Sequence, residues 1–199
     1  MAVGVKRSFQ LPNEPVYIRA VMKSLLTKMA VVTGVVLLGV VSWAQQPPPV
    51  PKLTFAFEVR ASVGAPLEVG NVAQGRRRIV PITGGTFEGS GLRGKVMPGG
   101  ADWQIIRADG FTELDTRYTL ETATGQVVYV QNAGMRHAAP DVMKRLLAGE
   151  LVDPALVYFR TIPKFETASP DLQWLTRAVF IGMGERYPND VRIRFYRLE

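Results

Sequence analysis

The chain has 199 residues, no cysteine and a single histidine, and its 24 Lys and Arg against 17 Asp and Glu give a formal net charge of +7. Without thiols and with one imidazole, it lacks the raw material for a disulfide framework, a zinc or copper centre, or a Ser–His or Cys–His nucleophile pair. The charge is concentrated at the N-terminus: removing the five basic residues and one acidic residue of 1–44 leaves 19 against 16, a net of +3, too mild to argue for nucleic acid.

Lys23 and Lys28 precede an apolar run from Met29 to Val41, and Ser42 and Ala44 then stand three and one positions before Gln45. That is the charged, apolar, small-residue order of a secretory signal peptide over 22–44, cut after Ala44. Met22 opens it, which leaves 1–21 as an upstream extension. The apolar run is shorter than the roughly 20 residues that span a bilayer. The protein is therefore expected in the periplasm or secreted, with no stable membrane insertion after cleavage. An uncleaved N-terminal anchor is the competing reading. Residues 45–51 are a proline-rich, extended spacer. The folded part is expected over 52–199, a length that suits one domain with its own core.

Leu53, Phe55, Phe57 and Val59 alternate with polar or small residues, the period of a strand. Arg76, Arg77 and Arg78 form the compact basic cluster, which reads as a solvated turn before a strand rather than as an anion site. Arg78 to Ile82 is a short apolar run ended by Gly84 and Gly85. Thr86 to Met97 is strand-like but interrupted by Gly89, Gly91 and Gly94, as at bends or close backbone approaches. Strands follow at Asp102 to Arg107 and Thr112 to Thr122, separated by the turn Asp109-Gly110. Another runs from Gln126 to Asn132. Pro140 and Asp141 open the one predicted helix, Val142, Leu146 and Leu147 give it an apolar stripe, and Gly149 ends it. It is expected to be a lid or plug. Val157 to Ile162, Phe165 to Thr167, Arg177 to Met183 and Val191 to Leu198 complete the strands. The fold class is all-β with one short helix, an antiparallel β-barrel or sandwich, and the glycines inside strands, which let a small barrel curl, favour the barrel.

Several blocks carry a likeness. They are Gly84-Gly-Thr-Phe-Glu-Gly, Gly94-Lys-Val-Met-Pro-Gly-Gly-Ala-Asp-Trp-Gln104, Asp115-Thr-Arg-Tyr-Thr-Leu-Glu121, Tyr158-Phe-Arg-Thr161, Phe165-Glu-Thr167 and Trp174-Leu175. In this order they resemble the bacterial and fungal DUF3237 family, a domain of unknown function, over nearly the whole mature domain. The resemblance implies a compact single-domain β-barrel with a central cavity and implies little about activity. The signal peptide and proline spacer lie outside it.

Asp115, Arg117, Thr119 and Glu121 share one face of a strand, and Thr116, Tyr118 and Leu120 take the other. Composition alone puts the charged face toward solvent. The resemblance reverses that, because the Asp-x-Arg-Tyr unit belongs to the shared pattern. Arg160 alternates with Phe159 and Thr161, and Glu166 follows Phe165. Buried charges must pair, so Asp102, Asp115 and Glu166 are expected to meet Arg117 and Arg160 in one pocket, walled by Trp103, Tyr118 and Trp174. The bland alternative is an ion-pair network that only holds the barrel's shape. Asp102, Asp115, Arg117 and Glu166 are the catalytic candidates if chemistry occurs. His137 is expected to face solvent or to be lightly paired.

Three functions survive. The first is binding of a small apolar or aromatic molecule. The second is cofactor-free isomerisation, cyclisation or lyase chemistry by a carboxylate of raised pKa beside arginine. The third is a structural barrel with a filled interior. No metal and no cofactor are expected; the glycines lack the following helix of a dinucleotide fingerprint. A homodimer through the last strand, by Phe195 and its arginines, is a further expectation.

Overall fold

The structure, a computed structural model, describes residues 48–199; the upstream extension, the signal peptide and the first residues of the spacer lie outside the described residues. The strands are β1 Leu53–Val63, β2 Leu67–Val72, β3 Gly75–Gly89, β4 Leu92–Val96, β5 Ala101–Ile106, β6 Thr112–Thr122, β7 Val127–His137, β8 Tyr158–Glu166, β9 Phe180–Arg186 and β10 Asp190–Leu198. One α-helix, α1, spans Pro140–Leu147, and two 3-10 segments span Pro154–Leu156 and Pro170–Arg177.

Every pairing is antiparallel, and the sheet returns on itself. From β1 the path runs through β10, β9, β8, β7 and β6, then β4 and β5 end to end, then β3, which pairs with β1 again. The result is a closed 8-strand antiparallel β-barrel. β2 shares an edge of β3 with β1, pairing the first half of β3 while β1 pairs the second. Eight strands make a barrel just wide enough to be filled by side chains or to hold one small ligand.

Several elements differ from the sequence expectation. The expected strand over Thr86 to Met97 is the end of β3 and all of β4, joined by a hairpin at Ser90 and Gly91. β3 begins at Gly75, so the three arginines sit within a strand and not in a turn. β2 carries no clear alternation and is exposed along nearly its whole length. β7 continues past Asn132 to His137. β8 runs through Pro163; its ladder with β9 is confined to Arg160–Met183 and Thr161–Gly182, so the missing proline N–H falls where that ladder has ended. Arg177 ends the second 3-10 segment rather than opening a strand, and β9 starts at Phe180.

One end of the barrel is plugged. Phe57 packs against Phe195 and Phe165 with ring centroids 5.1 and 5.8 Å apart, and Phe165 meets Phe180 edge-on at 5.2 Å. Phe87, Leu120, Val128 and Val130 complete this layer, and Leu172 and Leu175 of the Pro170–Arg177 segment seal it. A smaller cluster of Val142, Met143, Leu146 and Val152 fastens α1 over the other end.

Closure depends on a close approach of β1 and β3. Gly85 adopts φ +132°, and a Cβ there would collide with the Arg60 carbonyl oxygen and lie 3.0 Å from the Ala61 Cα. Gly91, at φ +81° in the hairpin, has open space around it. Gly85→Ala is therefore expected to cost about 3 kcal/mol or more, from backbone strain plus the clash, and Gly91→Ala about 1 kcal/mol. Urea unfolding of both variants checks this; equal losses would contradict the assigned closure.

Candidate functional site

Above the phenylalanine plug the barrel holds a cavity of about 430 Å³. Strand alternation builds its wall. Val59 and Ala61 of β1, Val80 and Ile82 of β3, Phe159 of β8 and Ile193 of β10 supply apolar surface, and Leu146 and Leu147 of α1 lie over it. Between them β3 contributes Arg78, β5 Asp102 and Gln104, β6 Thr116 and Tyr118, β7 Arg136, β8 Thr161 and β9 Arg186. Register places these side by side: Arg78 faces Gln104, Asp102 faces Thr116, and Arg136 faces Phe159 across adjacent strands. Gly182 and Gly184 of β9 make room for the side chains of their neighbours: a Cβ on Gly184 would sit 2.6 Å from the Phe159 ring, and one on Gly182 would collide with Thr161 Oγ1.

A short relay links three of the polar residues. Arg78 Nε donates to Gln104 Oε1 at 2.8 Å, and Gln104 Nε2 donates to Asp102 Oδ2. This leaves the other carboxyl oxygen, Asp102 Oδ1, buried without a protein partner. The Tyr118 hydroxyl, Arg136 Nε and Thr161 Oγ1 are in the same condition. Each such atom costs about 1–3 kcal/mol unless something in the cavity bonds to it. Just below, both amide atoms of Asn132 are also buried and unpartnered.

Burial sets the electrostatics. It pushes the Asp102 carboxyl above the usual carboxylate range, against the opposing pull of the Gln104 hydrogen bond, the adjacent Thr116 side chain and the Arg136 and Arg78 charges. Burial also lowers Arg136 to about 10, countered by Asp102 and reinforced by Arg78 and Arg186. Arg136 thus stays charged at neutral pH while 2 % exposed. Burial likewise holds Arg78 and Arg186 below the ordinary guanidinium value and raises Tyr118, which remains a protonated donor. The wall therefore offers a carboxyl able to hold or release a proton, a phenolic donor and three guanidinium groups in a setting largely shielded from water.

The expected convergence of charges is corrected by this geometry. Asp102 and Tyr118 line the cavity. Asp115 and Arg117 do not: they lie on the outer face of β6 and pair with each other at 3.2 Å, with side chains 44 % and 47 % exposed. The phase of β6 that faces inward is Thr116, Tyr118 and Leu120, so composition alone read this strand correctly and the resemblance did not. Glu166 is exposed at the end of β8. Arg160 lies on the outside, 5.0 Å over the Tyr158 ring, with Nη1 donating to the Phe159 carbonyl. Trp103 occupies the face of β5 opposite Asp102 and Gln104, half-buried. Trp174 packs on Phe180 at the plugged end. Phe195 is fully buried in the plug and offers no surface for a second copy. His137 is exposed and stacked between Phe111 and Tyr158, at 5.8 and 4.9 Å. Among the described residues no group of three His, Asp or Glu is placed to hold a metal ion.

The residues missed by sequence reasoning are Arg78, Gln104, Thr116, Arg136, Thr161 and Arg186. Period two contained signals for most of them. Gln104 follows Asp102 by two, Thr116 precedes Tyr118 by two, and Arg136 continues the inward series Val128, Val130 and Asn132. Ending the strand at Asn132 hid Arg136.

Two substitutions separate the inner from the outer charges. A carboxyl whose folded pKa is raised favours the folded state only while protonated. Relative to Asp102→Asn, wild-type stability is therefore expected to fall as pH rises from the unfolded value of 3.8 through the raised one, then to stay level. At neutral pH the variant is at least as stable as wild type, read as melting temperature against pH. Asp115→Ala is expected to leave the melting temperature and any ligand binding unchanged.

The family model for the Protein of unknown function (DUF3237) matches residues 51–198. A UPF0311 protein of Rhodopseudomonas palustris (strain TIE-1) is 44% identical over 144 residues, 72% of this chain and 94% of that protein. The solved structure of a β-barrel-like protein from Acinetobacter baumannii AYE superposes with a TM-score of 0.68 at 40% identity, covering 78% of this chain and 100% of that one. An enzyme from Penicillium herquei shares the fold at 20% identity and a TM-score of 0.58, over 77% of this chain and 98% of its own. A family match across the barrel, relatives of this identity and a common closed-sheet architecture lead to one conclusion: the chain belongs to the DUF3237 family.

Proposed function

We propose that this protein binds a small, largely apolar or aromatic molecule inside its barrel. One observation carries the reading. A cavity of about 430 Å³ is lined by aliphatic and aromatic side chains, and Asp102 Oδ1, Tyr118 OH, Arg136 Nε and Thr161 Oγ1 reach its wall without protein partners. Volume and lining are those of an ordinary small-molecule site, where a few convergent polar groups orient an apolar body. A structural barrel with a filled interior is disfavoured by the same volume.

A second reading rests on a different observation, the raised pKa of Asp102. A carboxyl whose burial favours the protonated form, in the field of the Arg136 guanidinium, suits proton transfer on the bound molecule, as in isomerisation, cyclisation or elimination. Asp102 would move the proton, and Arg136 and Tyr118 would stabilise developing negative charge on oxygen. The Penicillium herquei enzyme supports only the fold.

The segment from Lys23 to Ala44 supports an exported protein acting outside the cytoplasm. Native mass spectrometry of protein recovered from the periplasm tests both parts. The expected result is a chain beginning at Gln45 with a small-molecule adduct that dissociates on denaturation. Loss of the adduct in Tyr118→Phe and Thr161→Val ties it to the cavity. For the proton-transfer reading, Asp102→Asn keeps the adduct's skeleton bound and leaves it unconverted. A chain that retains Met22 to Ala44 would overturn export.

A further inference from the structure

We propose that the occupant of the barrel is an organic anion: a compact apolar or aromatic skeleton bearing one carboxylate, or an equivalent oxyanion, seated on Arg136. This rests on the cavity being a binding site and names the class of molecule it takes.

The charge balance of the wall is the starting point. Three guanidinium groups, Arg78, Arg136 and Arg186, face the cavity with a single carboxylate, Asp102. None of the ion pairs among the described residues involves any of the four. The positive excess is therefore real in either protonation state of Asp102. Elsewhere in the molecule arginines are matched closely: Arg194 lies 2.9 Å from Glu58 and 2.6 Å from Glu185. A buried cation without a counter-charge costs several kcal/mol in general, and proteins retain one where a ligand completes it.

The three arginines are not equivalent. Arg78 uses Nε on Gln104. Arg186 spends Nη1 on the Asp190 carbonyl at 3.1 Å and Nη2 on the Pro188 carbonyl at 3.2 Å, which ties down the turn between β9 and β10. Arg136 has a buried, unpartnered Nε and only the Phe159 ring beneath it, 5.6 Å from Cζ. The planar fork of a guanidinium matches a carboxylate through two parallel hydrogen bonds. Arg136 is thus the seat, and Arg78 and Arg186 add field. The Tyr118 hydroxyl and Thr161 hydroxyl supply neutral donors to the same space.

The rest of the wall decides what the anion is attached to. Val59, Ala61, Ile82, Phe159 and Ile193 are apolar. A free inorganic anion would leave that surface wet, and an organic cation would face three like charges. An aromatic or alicyclic acid satisfies both halves.

The test is calorimetric titration of the mature protein with three matched probes: 2-naphthoate, neutral 2-naphthamide and the 2-naphthylmethylammonium cation. The expected order is naphthoate about 10-fold or more tighter than naphthamide, from charge-assisted hydrogen bonding, with the cation not binding. Arg136→Gln is expected to bring the naphthoate-to-naphthamide ratio near unity while naphthamide affinity holds. Should Arg136→Gln fail to fold, Arg186→Gln serves, with the ratio reduced about threefold through the weaker field. Equal binding of naphthoate and naphthamide, or tighter binding of the cation, overturns the anion assignment and leaves the cavity reading standing. Failure of all three probes to bind overturns both. A ratio unchanged in whichever arginine variant folds also overturns the assignment.

Discussion

The register of β1 against β3, with Val59 opposite Phe87 and Ala61 opposite Gly85, turns an open antiparallel sheet into a barrel. Pairing at that seam removes the free edges that an open sheet would expose. It also divides every strand irrevocably into an inner and an outer face, since successive side chains alternate. Gly85 allows the two backbones to approach, and everything placed inside follows from that contact.

The interior is then divided along its axis. Five phenylalanines fill the plugged end by edge-on and tilted packing, a geometry that uses ring volume well and leaves no room for solvent. Toward the other end the inward residues change character to arginine, aspartate, glutamine, threonine and tyrosine, and glycine replaces bulk on β9. A barrel of this size cannot be packed solid with such groups. The same closure that stabilises the plug therefore creates the cavity, with α1 laid over its mouth by Leu146 and Leu147.

Charge is handled differently on the two faces. Outside, Glu58 receives Arg60 and Arg194 and Glu185 receives Arg194 and Tyr187. Burial alone would raise the Glu58 carboxyl, yet those arginines hold it below its ordinary value. Inside, Asp102 is raised and Arg136 lowered, because burial outweighs partners that are too few or too distant. The buried polar side-chain atoms without a partner gather in or just below the cavity, Arg76 Nε excepted. That is the pattern of a site whose missing partner is a ligand.

Much of this was legible in the sequence. Alternation along Leu53 to Val59, the glycines within strands and the Pro140 helix start specify a curled antiparallel sheet with one helix. They do so through local geometry that needs no distant partner. The inner face was not legible, because an alternating strand has two phases and both can look plausible. In β6, Asp115 and Arg117 make the more eye-catching set, yet Thr116 and Tyr118 point inward. Arg78 looked like part of a solvated turn, and Arg136 lay beyond an apparent strand end. Fold class and the existence of paired faces are properties of the chain alone. Which face encloses the cavity, and which arginines lose their water there, was decided only when cross-strand register and barrel closure selected one phase for every strand at once.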